Sequence, residues 1–312
     1  MPKPGNRRSE GSRTRIAAAP ARGPLAAGRR RARPERQPDG HLYDPAFVSP
    51  AEREAIVRWL AGLRPLWEDR FSPHFPPPPG QSQRRLLRPV YWLGNWQFAC
   101  LGYYRPPRGV HDRCVRAEPF PDVLAGLVRR IEARARARFR GPDLPRGWRL
   151  NTCLVNLYGS RREGDAWIDS ARVGEHRDFE PGPVASVSLG ERALLQFVGP
   201  SRRGEPGDVV FEQWLDDGSL QIFGGERWKD RTFHRVQRVD RRGGHELPPA
   251  MADFRTRRVN FTFRYVPDEH VVRFRDLSPP AREDVRRYVA ELAEGSTFFR
   301  AELARCDDRA GT

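Results

Sequence analysis

In the run Gly174-Glu-His176-Arg-Asp178 an imidazole and a carboxylate stand two positions apart. In an extended segment, side chains two apart point the same way, so the pair would face one spot. One more imidazole would complete the two-histidine, one-carboxylate set that holds a non-haem ferrous ion and leaves coordination positions open. His234, in Asp230-Arg-Thr-Phe-His234-Arg-Val236, supplies it. A lone His-x-Asp arises by chance in many chains, and surface or hydrogen-bonded histidines are the competing reading. These three gain weight from lying among strand-like segments. The remaining histidines (His41, His74, His111, His245 and His270) sit near loop signals, and none begins a second His-x-acid pair.

Downstream lies Arg258-Val-Asn260-Phe-Thr262-Phe-Arg264. Read with a period of two, Arg258, Asn260, Thr262 and Arg264 share one face, and Val259, Phe261 and Phe263 share the other. The apolar face packs on a neighbouring layer, so the polar face lines a cavity. Two arginines on a cavity wall need anions. Such a strand places them roughly 20 Å apart at the backbone, and side chains leaning together leave a gap suited to a short diacid, one carboxylate at each guanidinium fork. Surface arginines on an edge strand are the alternative, and the alternation argues against it. Asn156 and Tyr158 alternate in the same way on another strand and could add hydrogen bonds to the same diacid, although a strand tyrosine by itself is ordinary.

These groups require a framework. Ser49-Pro50-Ala51-Glu52 reads as a capping box with proline at the first helical position, and Ile56, Trp59, Leu60 and Leu63 follow at helical spacing, predicting a helix over 50–63. A second amphipathic helix is expected over 121–138, with Val123, Leu127, Ile131 and Ala135 on one face and arginines opposite. From Trp148 the period becomes that of strands, at 150–158, 184–189, 193–198, 208–212, 219–223 and 259–266, with Gly and Pro between them. Many short strands preceded by two helices predict a mainly β fold with flanking helices, a double-stranded β-helix or jelly roll. Ser278-Pro279 opens a last helix, with a further short one after Gly295, and packing is the role expected of this tail.

Residues 89–104 are aromatic-rich and glycine-punctuated and are consistent with a hairpin or an irregular strand pair. Exposed aromatics there could grip a flipped or single-stranded base by stacking. Core packing is the commoner fate of any one of them; Trp96 and Phe98 are the candidates for substrate contact.

The chain has 312 residues, 38% hydrophobic, enough for one good-sized core with appendages or for two small domains. No apolar run approaches a membrane span and no signal-peptide core opens the sequence, so a cytoplasmic enzyme is expected. Cys100, Cys114, Cys153 and Cys306 are scattered without zinc-type spacing and are expected to be reduced thiols. The net charge is +16 and almost all of the positive charge is arginine, since Lys3 and Lys229 are the only lysines. A basic surplus favours polyanion partners such as nucleic acid, although GC-rich codons also yield arginine. Residues 1–38 contain ten Arg, one Lys and two Glu, a net of +9. Residues 1–40 are expected to be a disordered basic arm, either a tether to phosphates or a passive tail. A catalytic domain is expected over 41–275 and a helical extension over 276–312.

With these motifs assembled, the sequence resembles the AlkB family of Fe(II)- and 2-oxoglutarate-dependent dioxygenases. The resemblance rests on Asn156-Leu-Tyr158, Gly174-Glu-His-Arg-Asp-Phe-Glu180, Pro183-Val-Ala-Ser-Val-Ser-Leu-Gly190, His234 and the Arg258–Arg264 segment, in family order, and runs from about Leu42 to Val266. It implies that His176, Asp178 and His234 bind Fe(II). It implies that Arg264 and Tyr158 hold the far carboxylate of 2-oxoglutarate, with Asn156, Arg258 and Asn260 around its other end or supporting it. Glu180 falls where the family places an acid that meets a flipped base. The Gly-Glu-His-Arg-Asp wording is most similar to members that repair alkylated double-stranded DNA. The implied activity is oxidative removal of N-alkyl groups from DNA or RNA bases by a monomer. The same chemistry on protein or another substrate, and a catalytically inactive nucleic-acid-binding member, are the alternatives. The stretch between Tyr158 and His176 and the insertion 240–256 depart from the family pattern, and the family's base-gripping hairpin does not align cleanly onto residues 91–104.

Overall fold

β-Branched and aromatic residues alternate over most of the chain after Trp148, and they form strands there. The computed structural model describes residues 37–101, 114–169, 173–200, 207–237 and 245–307. The basic arm, up to Arg36, lies outside the described residues, as do Tyr103 and Tyr104 of the aromatic stretch. Chain order is β1 (His41–Asp44), α1 (Pro50–Leu60), β2 (Val90–Leu93), β3 (Asn95–Gln97), β4 (Cys114–Arg116), α2 (Asp122–Arg138), β5 (Thr152–Glu163) and β6 (Ala166–Asp169). It continues with β7 (Val173–His176), β8 (Val184–Gly190), β9 (Ala193–Val198), β10 (Val209–Leu215), β11 (Leu220–Phe223), α3 (Gly225–Lys229) and β12 (Phe233–Gln237). Then follow β13 (Leu247–Met251), β14 (Phe254–Arg264), β15 (Val271–Val272), α4 (Pro279–Ala293) and α5 (Thr297–Asp307).

Two antiparallel sheets face each other. The larger runs β1-β11-β8-β14-β5-β2, with β13 beside β14 and β6 beside β5. The smaller runs β10-β9-β12-β7. This is the jelly roll with flanking helices that the strand pattern predicts. The larger sheet has two different faces, as the alternation in β14 requires. Val259, Phe261 and Phe263 are fully buried in the main core, where Phe261 meets Trp59 of α1 and Phe263 meets Phe120 ahead of α2. The opposite face looks toward the smaller sheet, across a second apolar cluster that includes Leu195, Phe197, Phe223 and Trp228.

Helix α1 starts as its sequence demands: the Ser49 hydroxyl accepts from the Glu52 amide, and the Glu52 carboxylate accepts from the Ser49 amide. Several strands escape sequence reading because they are short or polar, among them β7 and β12, which hold the two histidines. The stretch before His176 extends β5 and turns back as β6, and the insertion before the arginine strand supplies β13, paired along β14.

Of the two expectations for 89–104, the described residues show two strands that do not pair as a hairpin. β2 pairs with β5 in the large sheet, whereas β3 pairs with β4 in a separate small sheet. Gly94, at φ +75°, makes the corner between them, and a Cβ there would lie 2.0 Å from the Asn151 carbonyl oxygen. Trp96 and Phe98, expected at the substrate, are 2% and 1% exposed and stack on each other at 4.2 Å. They are core residues, because α4 and α5 cover them through Tyr288 and Phe299.

Beneath them lies a buried acid. Glu68 is 1% exposed and accepts hydrogen bonds from the Trp92 and Trp96 indoles and from the Ala99 amide. Burial pushes its carboxyl up to about 7, against the pull of those donors and of the Arg88 charge. The folded protein therefore keeps this proton after the unfolded chain has lost it. Stability contributed at Glu68 is greatest below the ordinary glutamate range and falls as pH rises from about 4.5 to about 7, then levels off. Thermal melts between pH 5 and 8 should show a steeper loss of stability with rising pH in the wild type than in Glu68→Gln; parallel curves would contradict this.

Candidate metal centre and cofactor pocket

His176 is the last residue of β7, and His234 is its direct cross-strand partner on β12. The two rings face each other with centroids 4.2 Å apart. Asp178 lies two residues beyond the end of β7, and ligand atoms from all three residues fall within 4.8 Å of one another. The His176 Nδ1 lies 2.8 Å from the Gly174 carbonyl oxygen, so Nδ1–H donates there and Nε2 keeps its lone pair for a metal. Asp178 Oδ2 is buried without a hydrogen-bond partner and lies 3.4 Å from His234 Nε2, so these two atoms face one point. Buried polar atoms left in this way signal a missing partner, and a hard-to-borderline divalent cation matches the donor set.

The electrostatics prepare these ligands. Burial lowers both imidazoles, His234 to about 3, with the His176 charge adding to the effect; Asp178 opposes it at each ring. Both are therefore neutral near pH 7, the form that ligates metal. Burial by itself would raise the Asp178 carboxyl, but the Arg264 guanidinium, then His234 and His176, override it and hold it well below the usual range. Arg264 Nε donates to Asp178 Oδ1 at 2.8 Å, with Nη2 2.7 Å from the same oxygen.

One cavity extends from this triad along the polar face of the large sheet, lined by Asn156, Tyr158, Arg258, Asn260, Thr262 and Arg264. Register explains the layering: Arg258 lies opposite Tyr158, Asn260 opposite Asn156, and Arg264 opposite Thr152. A shift in register between Thr256 and Arg258 leaves Arg257 beside Arg258 and Tyr158, where it donates to Ser160 Oγ and pairs with Asp169 and Glu191.

This geometry corrects the expected division of labour between the arginines. Tyr158 cannot share a carboxylate with Arg264, because its strand partner is Arg258, six residues away along β14. The Arg258 guanidinium carbon is 4.8 Å from the Tyr158 ring centroid, and Arg258 Nε and Nη1 are buried without a partner. Arg264 is engaged by Asp178 instead. Asn156 and Asn260 are tied into the wall: Asn156 Nδ2 donates to Thr262 at 3.4 Å, Thr262 donates to Asn260 Oδ1 at 2.9 Å, and Asn260 Nδ2 donates to Ser186 at 2.6 Å.

Outside the triad lies a cleft of about 430 Å³, lined among others by Asp178, Phe179, Glu180, Arg177 and Lys229. Glu180 is 1% exposed, accepts from Gln97 Nε2 at 2.8 Å and lies 3.6 Å from Arg264 Nε. Lys229 donates to the backbone carbonyls of Glu180 and Gly182 and so holds this wall in place. Phe179 is 48% exposed, a large apolar ring left at the mouth beside a triad residue. Reading the sequence missed Phe179, Gln97 and Arg88. Phe179 was within reach, since it stands between Asp178 and Glu180; Gln97 and Arg88 carry no local signal.

A jelly roll with a two-histidine, one-aspartate centre and a cationic wall beside it defines a metal-dependent oxygenase fold and site. Residues 40–264 match the 2OG-Fe(II) oxygenase superfamily, and the chain belongs to it. Its cofactors are those of the family, Fe(II) and 2-oxoglutarate, which the donor set and the cationic wall fit. None of the curated proteins matches the chain in sequence. Among solved structures, OsALKBH1 is similar over 74% of this chain and 100% of its own, at 20% identity and TM-score 0.43. YcfD, a ribosomal oxygenase from Escherichia coli solved with cobalt and 2-oxoglutarate, is similar over 73% of this chain and 49% of its own, at 12% identity and TM-score 0.31. At these TM-scores neither likeness bears on the substrate. Among the described residues, no helix is long and apolar enough to cross a membrane.

Calorimetric titration with Mn(II) should grade the ligands. His176→Ala and His234→Ala should each weaken binding by more than the roughly 100-fold that losing an outer-shell partner costs, and Arg264→Met, which releases Asp178, by about 10- to 100-fold. Unchanged affinity in His234→Ala would remove that residue from the centre.

Proposed function

We propose that this dioxygenase is AlkB-like and oxidatively dealkylates N-alkylated nucleic-acid bases in alkylation repair. The observation that carries the reading is the cleft at the triad, where an exposed aromatic ring, Phe179, and a buried carboxylate, Glu180, flank the same opening. A flipped base needs a flat apolar surface for its π-face and a fixed acceptor for its N–H groups. The resemblance of the Gly174–Glu180 and Arg258–Arg264 segments to that family and the arginine-rich surface support the same reading.

When bound, Fe(II) and 2-oxoglutarate supply the oxidation: one atom of dioxygen ends in succinate, with loss of carbon dioxide, and the other in a hydroxyl on the N-alkyl carbon, which then leaves as an aldehyde. The protein's own residues do the positioning. His176, Asp178 and His234 hold the metal, and Arg264 keeps Asp178 ionised and oriented. Arg258 and Tyr158 take the far carboxylate of 2-oxoglutarate. Phe179 stacks on the base, and Glu180, steadied by Gln97, accepts from its edge.

The cleft wall also contains Asp143, Glu226 and Asp230. This acidity suits a substrate group that carries positive charge, which a cationic alkylated base and a methylated basic side chain both provide. The deciding measurement is formaldehyde and succinate release on matched methylated DNA, RNA and histone-like peptides. Release from nucleic acid above peptide is expected, and turnover of peptide alone would replace the proposal with a protein demethylase. On the active substrate, Phe179→Ala should raise KM by about 5- to 100-fold, the cost of one lost stacking contact. Glu180→Ala should change base preference more than the uncoupled turnover of 2-oxoglutarate.

A further inference from the structure

Arg88 comes from the segment just before β2, outside every motif that points to the site. It is 9% exposed and lines the same cavity as the metal triad. Its Nε donates to Asn156 Oδ1 at 2.6 Å, and its guanidinium carbon is 5.5 Å from the Tyr158 ring centroid. Arg258 approaches that same ring to 4.8 Å. Two buried guanidiniums therefore share one phenol, and among the described residues neither forms an ion pair. The acid that Arg88 senses, Glu68, is already engaged by two indoles and a backbone amide.

Like charges drawn together out of water repel each other and call for an anion between them. Asn156 offers Arg88 a neutral acceptor at Nε only, so both Nη groups remain available to a ligand. A carboxylate has about four lone-pair sites and can take two forks at once. Taking the 2-oxoglutarate assignment as given, we propose that Arg88 is a second anchor for the far carboxylate. With Arg258 and Tyr158 it closes a two-guanidinium seat that selects a 2-oxo diacid over a 2-oxo monoacid.

The test is calorimetry on the full-length, Mn(II)-loaded protein with two probes, 2-oxoglutarate and 2-oxopentanoate. The second has the same five-carbon chain without the far carboxylate. Arg88→Gln should weaken 2-oxoglutarate by about 10- to 100-fold, as expected for a lost charge-assisted pair, and leave both 2-oxopentanoate and Mn(II) binding unchanged. Arg88→Lys, which keeps the charge but loses the fork, should fall between Gln and the wild type, and it reads the same quantity if the Gln variant does not fold. Equal losses for both probes would reduce Arg88 to a structural prop. Wild-type binding of 2-oxoglutarate with no loss in either variant would overturn the anchor and leave the cofactor assignment standing. No binding of 2-oxoglutarate by the wild type would overturn both.

Discussion

The buried pair between Arg264 and Asp178 joins the two sheets at the point where chemistry is to occur. Arg264 ends β14 in the large sheet, and Asp178 follows β7 in the small one. Burying either charge alone would cost several kcal/mol. Together they satisfy each other on one side, and the second carboxylate oxygen remains free for a metal. Sheet packing, carboxylate ionisation and ligand geometry are thus one constraint.

The same economy shapes the rest of the cavity. Polar side chains on the inner face are tied to one another, from Asn156 through Thr262 and Asn260 to Ser186, so the wall is rigid before any ligand arrives. Atoms left without hydrogen-bond partners along this wall include Asp178 Oδ2 beside the histidines, both polar atoms of Gln221 on β11, and Arg258 Nε and Nη1 near Tyr158. A divalent cation held by the histidines and Asp178 and a carboxylate held by Arg258 would complete what the protein leaves open, which fits the proposed seating of 2-oxoglutarate.

Much of this was legible in residue order. The alternation of Arg258, Asn260, Thr262 and Arg264 with Val259, Phe261 and Phe263 assigned both faces of β14, because a strand has no other way to separate polar from apolar groups. His176 and Asp178 stood together for the same local reason. The partition of the two arginines was not legible: both stand on one face, and only the pairing of β5 with β14 places Tyr158 against Arg258. Trp96 and Phe98 were misread for a related reason, since the helices that bury them lie near the far end of the chain.

The sequence alone therefore determined which side chains share a face and which motif sets His176 and Asp178 together, because period and spacing are local properties of an extended backbone. Only the tertiary structure decided that His234 meets His176 across β12 and β7, that Arg88 enters the pocket, and that Phe179 is exposed at the cleft while Trp96 is buried. Those are consequences of strand register and of which surfaces the remaining chain covers, and neither is encoded within any short stretch.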